Sequence, residues 1–154
     1  MMHQCQRLVS LSDDIAEIRP HREALRLLFL LMCAENISKL HDEFQGEGQS
    51  RAHVRGFFDT FLSERDKQTV GAGFVDHSKH LMPSLGLRAA VDMLYDVRCD
   101  VVHEGNYWEF TFHDAHTPML NVDPDVIAHI TFNHLRAIVV RGCINAVRDR
   151  IAAP

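Results

Sequence analysis

Arg98 and His103 are the residues whose types and spacing speak most directly to chemistry. In Arg98-Cys99-Asp100-Val101-Val102-His103, a permanent cation stands five residues ahead of an imidazole that titrates near neutrality. A guanidinium and an imidazole together suit phosphodiester cleavage. The imidazole would assist attack by a ribose 2′-hydroxyl or protonate the leaving oxygen, and the guanidinium would offset charge building on the phosphoryl group. That chemistry needs no metal and no cofactor.

These residues must be carried by a helix. Leu87, Ala90, Val91, Leu94, Val97 and Val101 recur at helical spacing, and Gly105 stands where a left-handed C-terminal cap belongs, so a helix is predicted over residues 85–103. At about 100° per residue, Arg98 falls in the middle of that apolar stripe. An unpaired buried guanidinium is expensive, so Arg98 requires a carboxylate partner, a water-filled cleft or an anionic ligand. Asp92, Asp96 and Asp100 line the opposite face as a solvated row. His103 ends the helix, where the C-terminal dipole favours the protonated imidazole. On an ideal helix it leaves the axis about 140° away from Arg98.

The stretch Leu94-Tyr95-Asp96-Val97-Arg98-Cys99-Asp100-Val101-Val102-His103-Glu104-Gly105 resembles the R-x4–6-H signature of the HEPN superfamily. The resemblance implies a small helical bundle, commonly a homodimer in which two motifs face each other across a shared cleft. It also implies metal-independent endoribonuclease activity, in toxin–antitoxin, phage-defence or RNA-processing systems. Carried over residue by residue, it makes Arg98 and His103 the catalytic pair and RNA the substrate. A cognate antitoxin or nucleotidyltransferase is the implied partner. Cys99 stands where the family usually has Asn, Asp or His, and Asp100 follows one residue later as a supporting polar group. The variant with tyrosine two residues after the histidine is not matched, because that residue is Gly105. A catalytically silent bundle of the same fold, acting as a binding or regulatory module, is the alternative reading.

Other residues stand as supports or rivals of this pair. Glu35, just past the apolar run 27–34, is placed to reach Arg98 and orient it. The chain has 11 histidines, including His77-x-x-His80 and His113-x-x-His116, whose i, i+3 spacing defines a third reading as a metal-binding helical protein. Neither pair has an acidic or cysteine companion at a known ligand spacing, so no metal site is assigned. Trp108, Phe110 and Phe112 offer faces for stacking bases, although an apolar hairpin face more often packs on a bundle. Arg136, Arg141, Arg148 and Arg150 make the last helix the most basic element.

The elements that must position these residues follow from periodicity. At 154 residues with 46% hydrophobic content, the chain is one domain, 1–154, with enough apolar material for a core. Helices are predicted over about 5–18, 20–44, 50–67, 85–103 and 123–151, with Ser50 capping the third and a loop over 70–86. The second is apolar nearly all round, as expected of a helix central to a bundle or buried against a second subunit. In the last helix the apolar positions are Val140, Cys143, Ile144, Val147 and Ile151, with Gly142 placed for close packing. Alternation in 107–112 and a return over 117–122 predict a small β-hairpin near 107–122. The fold class is therefore all-α, a four- or five-helix HEPN-like bundle with one inserted hairpin.

The net charge of −5 excludes a global attraction to polyanions, leaving only a local patch for nucleic acid. The run 27–34 is far short of the roughly 20 residues a bilayer requires, so no membrane partner is expected. Cys5, Cys33, Cys99 and Cys143 form no CxxC pair, which predicts four reduced thiols and a cytoplasmic location.

Overall fold

The computed structural model describes residues 1–81, 83–107, 110–112 and 126–152. Among them six helices run in the order α1 (Met2–Ile18), α2 (Glu23–His41), α3 (Ser50–Phe61), α4 (Glu64–Ala72), α5 (Gly86–His103) and α6 (Phe132–Ala152). Two three-residue strands, β1 (Phe74–Asp76) and β2 (Val126–Ala128), pair antiparallel with Phe74 opposite Ala128 and Asp76 opposite Val126. The fold is all-α with one very small sheet.

The near-uniform apolarity of the second helix has a direct structural cause. α2 is the bundle's axis, packed by α1, α3, α5 and α6. Leu27, Leu30, Leu31, Cys33, Ala34 and Ile37 are buried on it, and Val54, Phe57, Phe58, Leu94, Leu135, Ile138 and Val139 meet them from neighbouring helices. A remaining face of α2 stays half-buried: Leu25, Leu28, Phe29 and Met32.

Three predicted element boundaries require correction. The helix predicted over 50–67 is two helices. Leu62 is extended (ψ 144°), and Ser63 caps α4 by accepting a hydrogen bond from the Asp66 amide at 3.2 Å. Ser63 and Asp66 are three apart, a capping-box spacing that outweighs the continuing apolar periodicity. The loop predicted over 70–86 contains the end of α4 and strand β1. Finally, the last helix begins at Phe132, and its buried face is Phe132, Leu135, Ile138, Val139, Gly142, Cys143 and Ala146. Of the expected stripe only Cys143 is fully buried, and Ile151 is exposed.

The sheet does not use the expected hairpin residues. Tyr107 and 110–112 carry no strand, and residues 108–109 and 113–122 lie outside the described residues. Phe112 is instead a core residue, with its ring edge-on to Phe74, Phe110 and Phe132. Its amide donates to Glu23 Oε2 at 2.5 Å, tying this segment to the first turn of α2.

Two helical glycines make opposite predictions. A Cβ on Gly71 would lie 2.7 Å from the backbone nitrogen of Leu87 and 3.0 Å from the carbonyl carbon of Gly86, where α4 meets the start of α5. Backbone cannot rotate aside, so Gly71→Ala should cost about 2–3 kcal/mol. A Cβ on Gly56 would meet only Ser38 Oγ at 3.6 Å. Gly56→Ala should therefore stabilise by about 0.5–1 kcal/mol through helix propensity. Urea midpoints of the two variants, expected on opposite sides of the wild type, check this.

Candidate functional site

α5 is an uninterrupted helix, and its regularity decides where the motif residues go. Leu94, Tyr95 and Val101 are buried, and Arg98 lies among them with only 18% of its side chain exposed. The carboxylate that such an arginine requires is Glu35 of α2, as expected: Arg98 Nη2 lies 3.8 Å from Glu35 Oε2. This is an ion pair at long range. Among the described residues no hydrogen bond from the Arg98 guanidinium accompanies it.

Glu35 is itself held firmly. Its Oε1 accepts hydrogen bonds from Lys39 Nζ and Ser50 Oγ, both at 2.7 Å. Burial pushes the carboxyl upward in pKa, but those two hydrogen bonds and the charges of Lys39 and Arg98 outweigh it, so the group sits below the ordinary glutamate value. Ser50 thus serves the carboxylate and not the helix end. The residue before α3 is Gln49, in the left-handed region at φ 57°, without a side-chain capping bond.

Tyr95 lies one turn before Arg98 and gathers two cations. Its ring centre is 5.3 Å from the Arg98 guanidinium carbon and 4.8 Å from that of Arg51, and Arg51 also pairs with Asp96. Lys39, Arg51 and Arg98 therefore converge around Glu35 and Tyr95, a local basic cluster on an acidic chain. Sequence spacing offered no sign of Arg51 or of Ser50 as a partner of Glu35, since both come from α3, whereas Lys39 stands four residues after Glu35 on α2.

His103 is not part of this cluster within one chain. It is the exposed last residue of α5 and makes no hydrogen bond or ion pair with a described residue. Because the helix runs straight through, the 140° divergence from Arg98 stands. The helix then closes as expected, with Gly105 at φ 66° and the amides of Glu104 and Asn106 both donating to the Asp100 carbonyl. Asp100 is exposed and Cys99 is half-buried.

The remaining candidates separate clearly. His77 and His80 are exposed near the end of β1, while 113–116 lies outside the described residues. The basic last helix is mostly spent on internal pairs. Arg136 grips Asp13, and Arg141 grips Asp66, each through two nitrogens, while Arg150 pairs with Glu43. Only Arg148 of the four has no such pair among the described residues. It lines a cleft of about 650 Å³ with Arg65, Arg141, His134 and Asn145. A further cluster has no local signature at all: Cys5, Cys33 and Cys143 meet in the core.

No family model, curated protein or solved structure matches the chain. No helix of the described residues is long and apolar enough to cross a membrane.

Proposed function

We propose that the chain is a metal-independent endoribonuclease of the HEPN type, with Arg98 stabilising the phosphoryl transition state and His103 as general acid–base. The observation that carries the proposal is the state of Arg98. It is a mostly buried guanidinium whose one ion pair among the described residues is with Glu35 at 3.8 Å, too long for a hydrogen bond and compatible with an added anion. Lys39 and Arg51 beside it add charge attraction for a phosphate backbone.

The site is proposed to be completed by a second copy. At 100° per residue, Leu25, Leu28, Phe29 and Met32 share one face of α2, and Glu35, Asn36 and Lys39 prolong it within a sector of about 120°. A dimer closing on the half-buried apolar part would place the two Glu35–Arg98 clusters side by side. His103 of one subunit would then serve Arg98 of the other, which resolves the divergence within a chain. RNA is the proposed substrate, an antitoxin or nucleotidyltransferase the proposed regulator, and the cytoplasm the proposed compartment.

One observation favours the alternative, a silent binding module of the same fold: Arg98 already has Glu35, and His103 is exposed with no partner among the described residues. The test separates the two. Purified protein with a chelator present should cleave single-stranded RNA, leave DNA intact and give 5′ fragments ending in a 2′,3′-cyclic phosphate or its hydrolysis product. Light scattering at micromolar concentration should report a dimer. A monomer that cleaves nothing supports the silent module.

A further inference from the structure

Cys5, Cys33 and Cys143 come from α1, α2 and α6 and meet where those helices pack. Their three sulfurs all lie within 4.8 Å of one another, with Cys33 Sγ 3.7 Å from Cys143 Sγ. Cys33 and Cys143 are fully buried and Cys5 is 5% exposed, and all three belong to the main hydrophobic core. Isolated core cysteines act as small apolar residues. Three sulfurs pointed at one another are a donor set.

We propose that this cluster is a tris-thiolate site for a neutral-complex thiophilic centre, trivalent arsenic or its heavier congener antimony. Three bonds of about 2.3 Å to one pyramidal centre, at angles of about 95°, set the sulfurs roughly 3.4 Å apart, so Cys33 and Cys143 at 3.7 Å are nearly placed and Cys5 closes from at most 4.8 Å. Charge selects the occupant. Three thiolates carry −3, leaving −1 with Zn²⁺ and −2 with Cu⁺, and a net charge in an apolar core costs several kcal/mol. Trivalent arsenic leaves zero. Zinc also wants a fourth ligand, and among the described residues no His, Asp or Glu joins the group. The step balances without a redox partner: As(OH)₃ plus three thiols gives one As–S₃ centre and three waters, with three As–O and three S–H bonds exchanged for three As–S and three O–H bonds.

Cys5, 5% exposed, is the least buried of the three sulfurs, and the Cys33 thiol already contacts both the Cys5 carbonyl and the Cys143 sulfur.

The test refolds the full chain from denaturant under a non-thiol reductant with sodium arsenite, which removes any barrier of core access. Native mass spectrometry should show one adduct per chain, heavier by one arsenic less three protons. The melting temperature should rise by about 5–10 °C when arsenite exceeds its dissociation constant a hundredfold. Cys99→Ser should keep both effects. Cys5→Ala, at the edge of the cluster, should fold and lose the three-proton adduct, and Cys33→Ser should lose it as well. No adduct, an adduct losing only two protons, or an adduct that survives Cys5→Ala would overturn the proposal. So would stabilisation by zinc or cadmium that exceeds that by arsenite, because the charge argument would then be wrong.

Discussion

Replacing His103 with alanine should lower the rate of RNA cleavage by roughly 10²-fold or more while leaving the urea midpoint within about 0.5 kcal/mol of wild type. The two halves of that expectation have separate causes. His103 is exposed at the end of α5 and contributes no hydrogen bond to a described residue, so the fold does not depend on it. The chemistry does, because the 2′-hydroxyl needs a base and the leaving oxygen an acid. Arg98→Ala is the less clean companion. It removes the guanidinium from the transition state and also leaves Glu35 with one counter-charge fewer in a largely buried position. Arg98→Lys keeps the charge but not the planar fork of donors, so its activity should stay low while its stability recovers. Mixing His103→Ala with Arg98→Lys subunits tests the composite arrangement. Each is weak alone, and a mixed dimer has one cleft with both groups intact, so activity should return in part. Activity undiminished in His103→Ala would remove the motif from the mechanism, and no recovery on mixing would place both groups in one subunit.

How much of this was legible in the sequence depended on the range of the interaction. The stripe on α5 and the cap at Gly105 are local, and both stand. That Arg98 requires a carboxylate, a water-filled cleft or an anionic ligand was an electrostatic inference that left all three open, and Glu35, named separately as within reach, lies 3.8 Å from it. Local chemistry also misled. Ser50 has the type and place of an N-cap, yet its hydroxyl serves Glu35 across the bundle, and the true cap at Ser63 was hidden within apolar periodicity. On α6 the apolar residues nearly encircle the helix, so spacing alone could not say which arc turns inward. Strands β1 and β2 are three residues each and distant in sequence, too short for an alternating pattern to register. The cysteine cluster is the extreme case. Separations of 28 and 110 residues leave no motif, and only the packing of α1 and α6 on α2 brings the sulfurs together.

Glu35→Ala should destabilise the protein by about 3 kcal/mol at neutral pH. Glu35 is 8% exposed, accepts hydrogen bonds from Lys39 and Ser50, and faces the Arg98 guanidinium at 3.8 Å. Removing one member of a buried charged set costs about 3–5 kcal/mol, chiefly because the others are left unpaired. The lower end applies because Lys39 and Arg98 retain 24% and 18% exposure and can recover some hydration. Glu35→Gln should cost less, about 1–2 kcal/mol, since a carbamoyl oxygen still accepts from Lys39 and Ser50 but carries no charge. The pH dependence then identifies the electrostatic share. The folded protein holds the Glu35 carboxyl below its unfolded value, so the pair's contribution is fully present above the unfolded carboxylate range, near pH 4.3. It fades as pH falls through the lower folded value. Glutamine does not titrate. The stability gap between wild type and Glu35→Gln should therefore be constant from pH 7 to about 5 and narrow steadily below pH 4, as the wild-type carboxylate takes up its proton. Urea titrations of both proteins at stepped pH read this directly. A gap unchanged down to the acid limit would mean that Glu35 acts through shape and hydrogen bonding alone. Arg98 would then not be held by charge, and its guanidinium would be free to move onto a phosphate without breaking the pair with Glu35.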